Sequence, residues 1–167
     1  FESRKARQQH RIRYRIANNA TAPQPVRLFA AIRPCQVTPT WQHWDRFGGA
    51  SQIHTLTWES ASVWVDRRKR IIPMTAPSQF GAVTFAQGAI TEHLQADELP
   101  PQDSVNDPFG YASGALRFDL NLPPNAAQEV YLAIPFGTVD QDSPTDLDSC
   151  VSGAEHFRIA ISQWEAR

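Results

Sequence analysis

Side chains that could do chemistry are spread through this sequence, but few stand at a spacing that chemistry requires. The five histidines, His10, His43, His54, His93 and His156, are scattered, and no His-Glu-x-x-His pattern occurs. His43 lies between Trp41 and Trp44 and could serve a site, although a surface or hydrogen-bonded histidine is the simpler account. Nucleophile patterns are absent, and Ser113 in YASGA lacks the flanking glycines of a nucleophile elbow. Gly48-Gly49 and Gly110–Gly114 match neither phosphate-binding fingerprint. Asp140, Asp142, Asp146 and Asp148 invite a calcium reading, but the central glycine and terminal glutamate of an EF-hand are missing, which favours a solvated acidic loop. A glycosidase needs paired carboxylates, and Glu92, Asp97, Glu98, Asp103 and Asp107 are available. Carboxylates this frequent are expected on any acidic surface, and Asp107 before Pro108 is more simply a turn residue. No catalytic residue, metal ligand or cofactor is assigned.

Aromatic residues are the richer lead. Trp41, Trp44, Phe109 and Tyr111 fall on expected loops instead of strand interiors. Exposed aromatic faces stack on sugar rings or fill a partner's pocket, because they offer large area at low conformational cost. These four are the candidate carbohydrate- or partner-binding residues, with core or interdomain packing as the commoner fate of each one singly. Arg11, Arg13 and Arg15 could grip phosphates, but a solvated or salt-bridged strand face is favoured, and no nucleic-acid partner is expected.

The elements that must position these residues are short strands. Arg11–Ala17 alternates strictly, with Ile12, Tyr14 and Ile16 on one face and three arginines on the other. Asn18–Pro25 is dense in turn formers, and Val26–Ile32 reads as the returning strand of a hairpin, ending at Pro34. Thr38–Gly49 is an aromatic-rich loop. Ile53–Trp58, Ser62–Asp66 and Arg70–Met74 form a meander with tight turns at Glu59–Ala61 and Arg67–Arg70. Gly81–Phe85 is another strand. Gly88–Leu99 is the helix candidate, with Ile90, Leu94 and Leu99 on one face. Gln102–Ser113 is a polar loop holding DPFGY. Ala115–Leu122 and Glu129–Phe136 read as a second long hairpin, with Leu116, Phe118, Leu120 and Leu122 inward. Phe157–Trp164 fits either a strand or a helix.

A chain of 167 residues supports one domain with a real core. The expectation is an all-β antiparallel sandwich with one short helix, over residues 1–137. Residues 138–167 read as an acidic linker followed by a strand or helix that packs on the sandwich or leaves it. Residues 1–70 carry 13 Lys+Arg and 4 Asp+Glu, net +9, while residues 71–167 carry 3 and 13, net −10. The basic residues alternate with apolar ones, so mutual compensation of the two halves is favoured over a nucleic-acid or membrane arm. No apolar run approaches the roughly 20 residues needed to cross a bilayer, and no membrane partner is expected. Cys35 and Cys150 fit no zinc or redox spacing and leave a disulfide, buried thiols and the compartment all open. The opening FESRKARQQH lacks an initiator Met and a targeting signal, which suggests a piece of a longer chain.

YRIANNATAPQPVRLFAAIRPCQVTP resembles the super-sandwich (galactose-mutarotase-like) domain of bacterial carbohydrate-active enzymes. WQHWDRFGGASQIHTLTWES, VWVDRRKRIIPM and SVNDPFGYASGAL resemble large bacterial proteins with six-hairpin glycosidase regions, often named for discoidin (coagulation factor type) domains. The similarity covers about residues 10–137. It implies a non-catalytic sandwich that supports or shapes the substrate cleft of an adjacent (α/α)6 barrel, where the catalytic carboxylates of such enzymes lie. The parent chain would then be a glycoside hydrolase or phosphorylase, with an adjacent domain or a carbohydrate as partner. The alternatives are an independent carbohydrate-binding module that uses the loop aromatics and, last, a hydrolase with its acids within Glu92–Asp107.

Overall fold

A computed structural model describes residues 9–35 and 51–136, together with Ala154, Glu155, Arg158, Ile161 and Ser162, which are helical. The strands are β1 (Gln9–Ala17), β2 (Gln24–Ile32), β3 (Thr55–Glu59), β4 (Ser62–Val65), β5 (Lys69–Pro73), β6 (Gln79–Val83), β7 (Ser104–Asn106), β8 (Ser113–Leu122) and β9 (Ala127–Pro135). One helix, α1 (Ile90–Gln95), lies between β6 and β7, preceded by a 3-10 turn over Phe85–Gln87. Two antiparallel sheets form a sandwich. The larger runs β1-β9-β5-β4-β3-β7 and the smaller β2-β8-β6.

The alternation of β8 works as its sequence implies. Leu116, Phe118 and Leu122 are buried and Leu120 packs against the same cluster. From the larger sheet Leu56, Val63, Val105, Val130 and Leu132 join Leu116 and Phe118 in this cluster. Trp58 of β3 stacks on Phe80 of β6 across the gap, with ring centroids 5.9 Å apart and planes 22° apart. Burying such side chains contributes about 1.5–3 kcal/mol each, which makes this interface the main source of cohesion.

Neither long hairpin forms. β1 pairs with β9, from Gln9↔Pro135 to Ala17↔Ala127, whereas β2 pairs with β8, from Gln24↔Leu122 to Ile32↔Gly114. The two strands of each expected hairpin therefore lie in opposite sheets, and the connections β1–β2 and β8–β9 cross the sandwich. Asn18, 5% exposed, ties the two crossings together. Its Nδ2 shares its N–H bonds among the carbonyls of Ala22 (2.9 Å), Leu122 (3.0 Å) and Pro123 (3.1 Å). Its Oδ1 accepts from the Ala20 N–H, and its own N–H donates to Ala126 O. A hairpin would leave most of these groups without partners.

The meander β3-β4-β5 forms as expected. Its turns place Ser60 and Ala61, then Asp66 and Arg67, at φ between 48° and 53°, the positive-φ pairs that tight hairpins favour. Asp66 holds the second turn to β3, since its Oδ1 accepts from the N–H groups of His54 and Thr55, both at 2.8 Å.

The helix is shorter than its pattern. Gly88, at φ +97°, closes the 3-10 turn ahead of it, and Asp97, at φ +59°, follows it. Ile90 and Leu94 of the expected apolar face, with Leu99 beyond the helix end, pack on Val83 and Ala115, on the outer side of the smaller sheet. The chain after α1 lies directly on β6, where a Cβ on Gly81 would stand 2.2 Å from Pro100 O. The expected polar loop contains β7, whose Val105 is buried.

Ion pairs Arg13–Glu129, Arg27–Asp97 and Arg27–Asp119 each join a cation of the basic half to a carboxylate of the acidic half, in keeping with mutual compensation. Cys35 is an exposed free thiol, while Cys150 lies outside the described residues. At the C-terminal end Arg158, Ile161 and Ser162 favour the helical alternative over the strand. The acidic stretch at 140–148 and the boundary at 137 also lie outside the described residues.

Candidate functional site

The DPFGY segment joins β7 to β8, and its geometry is set by Asp107, 1% exposed. Asp107 Oδ1 accepts from the Phe109 N–H at 2.8 Å, the local turn that an aspartate before Pro favours. Oδ2 accepts from the N–H of Phe85 at 2.6 Å, which fastens the 3-10 turn to this loop. The backbone N–H of Asp107 donates to His54 O, and the N–H of Gly110 donates to Asp107 O. Gly110 sits at φ +77°, with Gln52 Cβ only 2.9 Å from where its own Cβ would be, so only glycine lets the loop turn here. Ile53 and Tyr111 form a parallel bridge that continues the anchoring.

So held, the loop projects rings outward. Phe85 is 63%, Phe109 64% and Tyr111 44% exposed. Phe85 meets Phe109 edge-on at 6.4 Å and Tyr111 at 5.6 Å with planes tilted by 48°. Rings exposed to this extent forgo a sizeable part of the burial that stabilises a core aromatic, on a backbone fixed by a buried carboxylate. Clustered exposed rings of this kind make the loop the candidate interaction surface of the domain.

Beside the rings is a cleft of about 400 Å³. Phe85 and Tyr111 form its aromatic side, Ile90 and Ser113 line it from α1 and β8, and Arg33 and Glu92 bring a cation and a carboxylate from β2's end and from α1. Ser113 is 4% exposed, and its Oγ accepts from the Ile90 N–H at 3.1 Å, a structural bond to the first residue of α1. Glu92 folds back over the 3-10 turn, so that a Cβ on Gly88 would stand 2.9 Å from its Oε2. A second depression, on the outer face of β2 and β8, is lined by Arg27, Asp97 and Asp119, whose charges pair among themselves.

Among the four aromatic candidates, Phe109 and Tyr111 are brought together through Phe85. Trp41, Trp44 and the intervening His43 lie outside the described residues. The stretch containing them is entered at Cys35 and left at Ser51, whose N–H donates to Cys35 O at 2.8 Å, next to the cleft residues Arg33 and Pro34. Phe85 was hidden as the last residue of an expected strand. Its signal is the Thr84–Gln87 spacing: Gln87 Oε1 accepts from both the Thr84 N–H and hydroxyl, which starts a turn instead of prolonging β6. Of the expected acids, Asp107 is committed to backbone N–H groups and Asp97 to Arg27. Among the described residues no group of three His, Cys, Asp or Glu could hold a metal ion. His54 and His93 lie within hydrogen-bond distance of backbone carbonyls, and His10 packs edge-on against Phe136. No protein-family model matches the chain, and no curated protein matches it significantly.

Proposed function

We propose that this chain is a non-catalytic β-sandwich domain of a larger carbohydrate-active protein, one that supports and shapes the substrate cleft of an adjacent (α/α)6 barrel. The observation that carries this reading is the Phe85–Phe109–Tyr111 cluster, exposed yet held by the buried carboxylate of Asp107. Rigid aromatic anchors with little conformational freedom to lose are what a docking surface needs. The non-catalytic part is supported by Ser113 and Asp107, whose oxygens accept backbone N–H bonds and are thereby committed to holding the fold. The test uses a panel of chromogenic glycosides. The 167-residue chain turns over none of them, and Phe109→Ala in the complete natural protein lowers kcat/KM about tenfold with the fold intact. Turnover by the chain alone, or an unaltered kcat/KM, contradicts it.

A second reading, an independent carbohydrate-binding module, is favoured by the cleft, where Arg33 and Glu92 lie beside Phe85 and Tyr111. A glycan array with Tyr111→Ala, Trp41→Ala and Trp44→Ala variants decides: array binding by the isolated chain that these variants abolish supports the module, and no binding rejects it.

A further inference from the structure

We infer that the cleft is a subsite for a single neutral hexopyranose ring. The inference rests on the reading of the domain as part of a carbohydrate-active protein, and it names what the cleft would hold. Three features converge on that ligand.

The first is size. A volume of about 400 Å³ lies at the small end of ligand pockets, which run from roughly 300 to 1,000 Å³, and it suits one ring better than an extended chain. The second is the aromatic corner. Phe85 and Tyr111, 5.6 Å apart and tilted by 48°, offer faces for the C–H side of a pyranose, and Tyr111 adds a hydroxyl that donates and accepts.

The third is the pairing of charges on two different elements, Arg33 after β2 and Glu92 in α1, both solvent-accessible and both lining the cleft. A guanidinium only donates and a carboxylate only accepts. A phosphate would satisfy the first and be repelled by the second, and an ammonium would do the reverse. A hydroxyl-bearing ring satisfies both at once, since each hydroxyl donates and accepts, and it brings no net charge. The backbone N–H of Ile90 is already used by Ser113, so α1 contributes its side chains and not an anion site.

Ligand-observed saturation-transfer NMR on the 167-residue chain tests this with methyl hexopyranosides, inorganic phosphate and L-phenylalanine. The expected result is saturation of the ring C–H protons of at least one hexoside. Its affinity falls about tenfold or more in Arg33→Met and in Glu92→Gln, the loss expected for one hydrogen bond to a charged group. Both residues are exposed, so their substitution leaves the fold in place, which the amide spectrum verifies. The subsite is overturned if no hexoside is saturated, if neither charge variant weakens binding, or if phosphate or L-phenylalanine displaces the sugar. These failures leave the docking role of Phe109 standing, because that role is read from kcat/KM in the complete protein.

Discussion

Two buried polar side chains, Asn18 and Asp107, fix the chain at opposite ends of β8 with opposite results. Asn18 bonds the carbonyl of Leu122, where β8 stops, and draws together two connections that cross between the sheets. Asp107 lies just before Ser113, where β8 starts, and receives the N–H groups of Phe85 and Phe109. One end is a knot of backbone bonds. At the other the same economy leaves Phe85, Phe109 and Tyr111 standing in solvent. A buried polar residue is worth keeping where it organises something that apolar packing cannot. At Asn18 that is topology, and at Asp107 it is a surface.

Breaking the aromatic end gives the largest expected effect. Asp107→Ala strands two N–H groups that were bonded to a carboxylate and should lower unfolding stability by about 3 kcal/mol. Urea denaturation measures the loss, and the Phe85 and Phe109 rings lose their fixed environment in the near-ultraviolet. Asn18→Ala strands several carbonyls and an N–H at the other end, for about 2 kcal/mol, with the environment of the aromatic rings unchanged. A variant that lost both would contradict the independence of the two ends.

A smaller effect separates pH ranges. The Tyr131 hydroxyl donates to the carboxylate of Glu129. This bond, then burial and the Glu129 charge, hold the tyrosine above its ordinary value of 10.0, with Arg13 opposing. A raised value in the fold means that the contribution is complete below the unfolded pKa and fades as pH rises through the folded one. Stability should therefore fall on the alkaline side above about pH 10, and Tyr131→Phe should remove that part of the fall at a cost near 1 kcal/mol at neutral pH. Thermal melts between pH 7 and 11 measure it. Smallest is Arg27→Met. Arg27 is half-exposed among Asp97 and Asp119, and its loss should change stability by less than about 0.5 kcal/mol, vanishing in high salt.

The sequence exposed the strands better than their partners. Period-two alternation in Ala115–Leu122 reports which side chains face the core, and in Arg11–Ala17 it does so for Ile12 and Ile16 but not for Tyr14, which is exposed; both segments are strands. Alternation says nothing about which neighbour supplies the hydrogen bonds. Short connections such as Asn18–Pro23 fit a hairpin and a crossing equally well, so the choice rests on Asn18 reaching carbonyls more than a hundred residues away. β7 escaped because three residues with one apolar member carry no period. At the site, Phe109 and Tyr111 were legible as aromatics on a turn-rich loop. Phe85 was not, because its place beside them depends on a bond from its backbone N–H to Asp107, twenty-two residues later.

The most direct measurement of the central claim is hydrogen exchange at two backbone amides, those of Phe85 and Phe109. Both lie outside the strand ladders, and in an unanchored loop both would exchange within seconds. If Asp107 holds the aromatic end, both amides are protected in the native chain and lose that protection together in Asp107→Ala, while the Asn18 amide keeps its own. Rapid exchange of the Phe85 and Phe109 amides in the native chain would contradict the account.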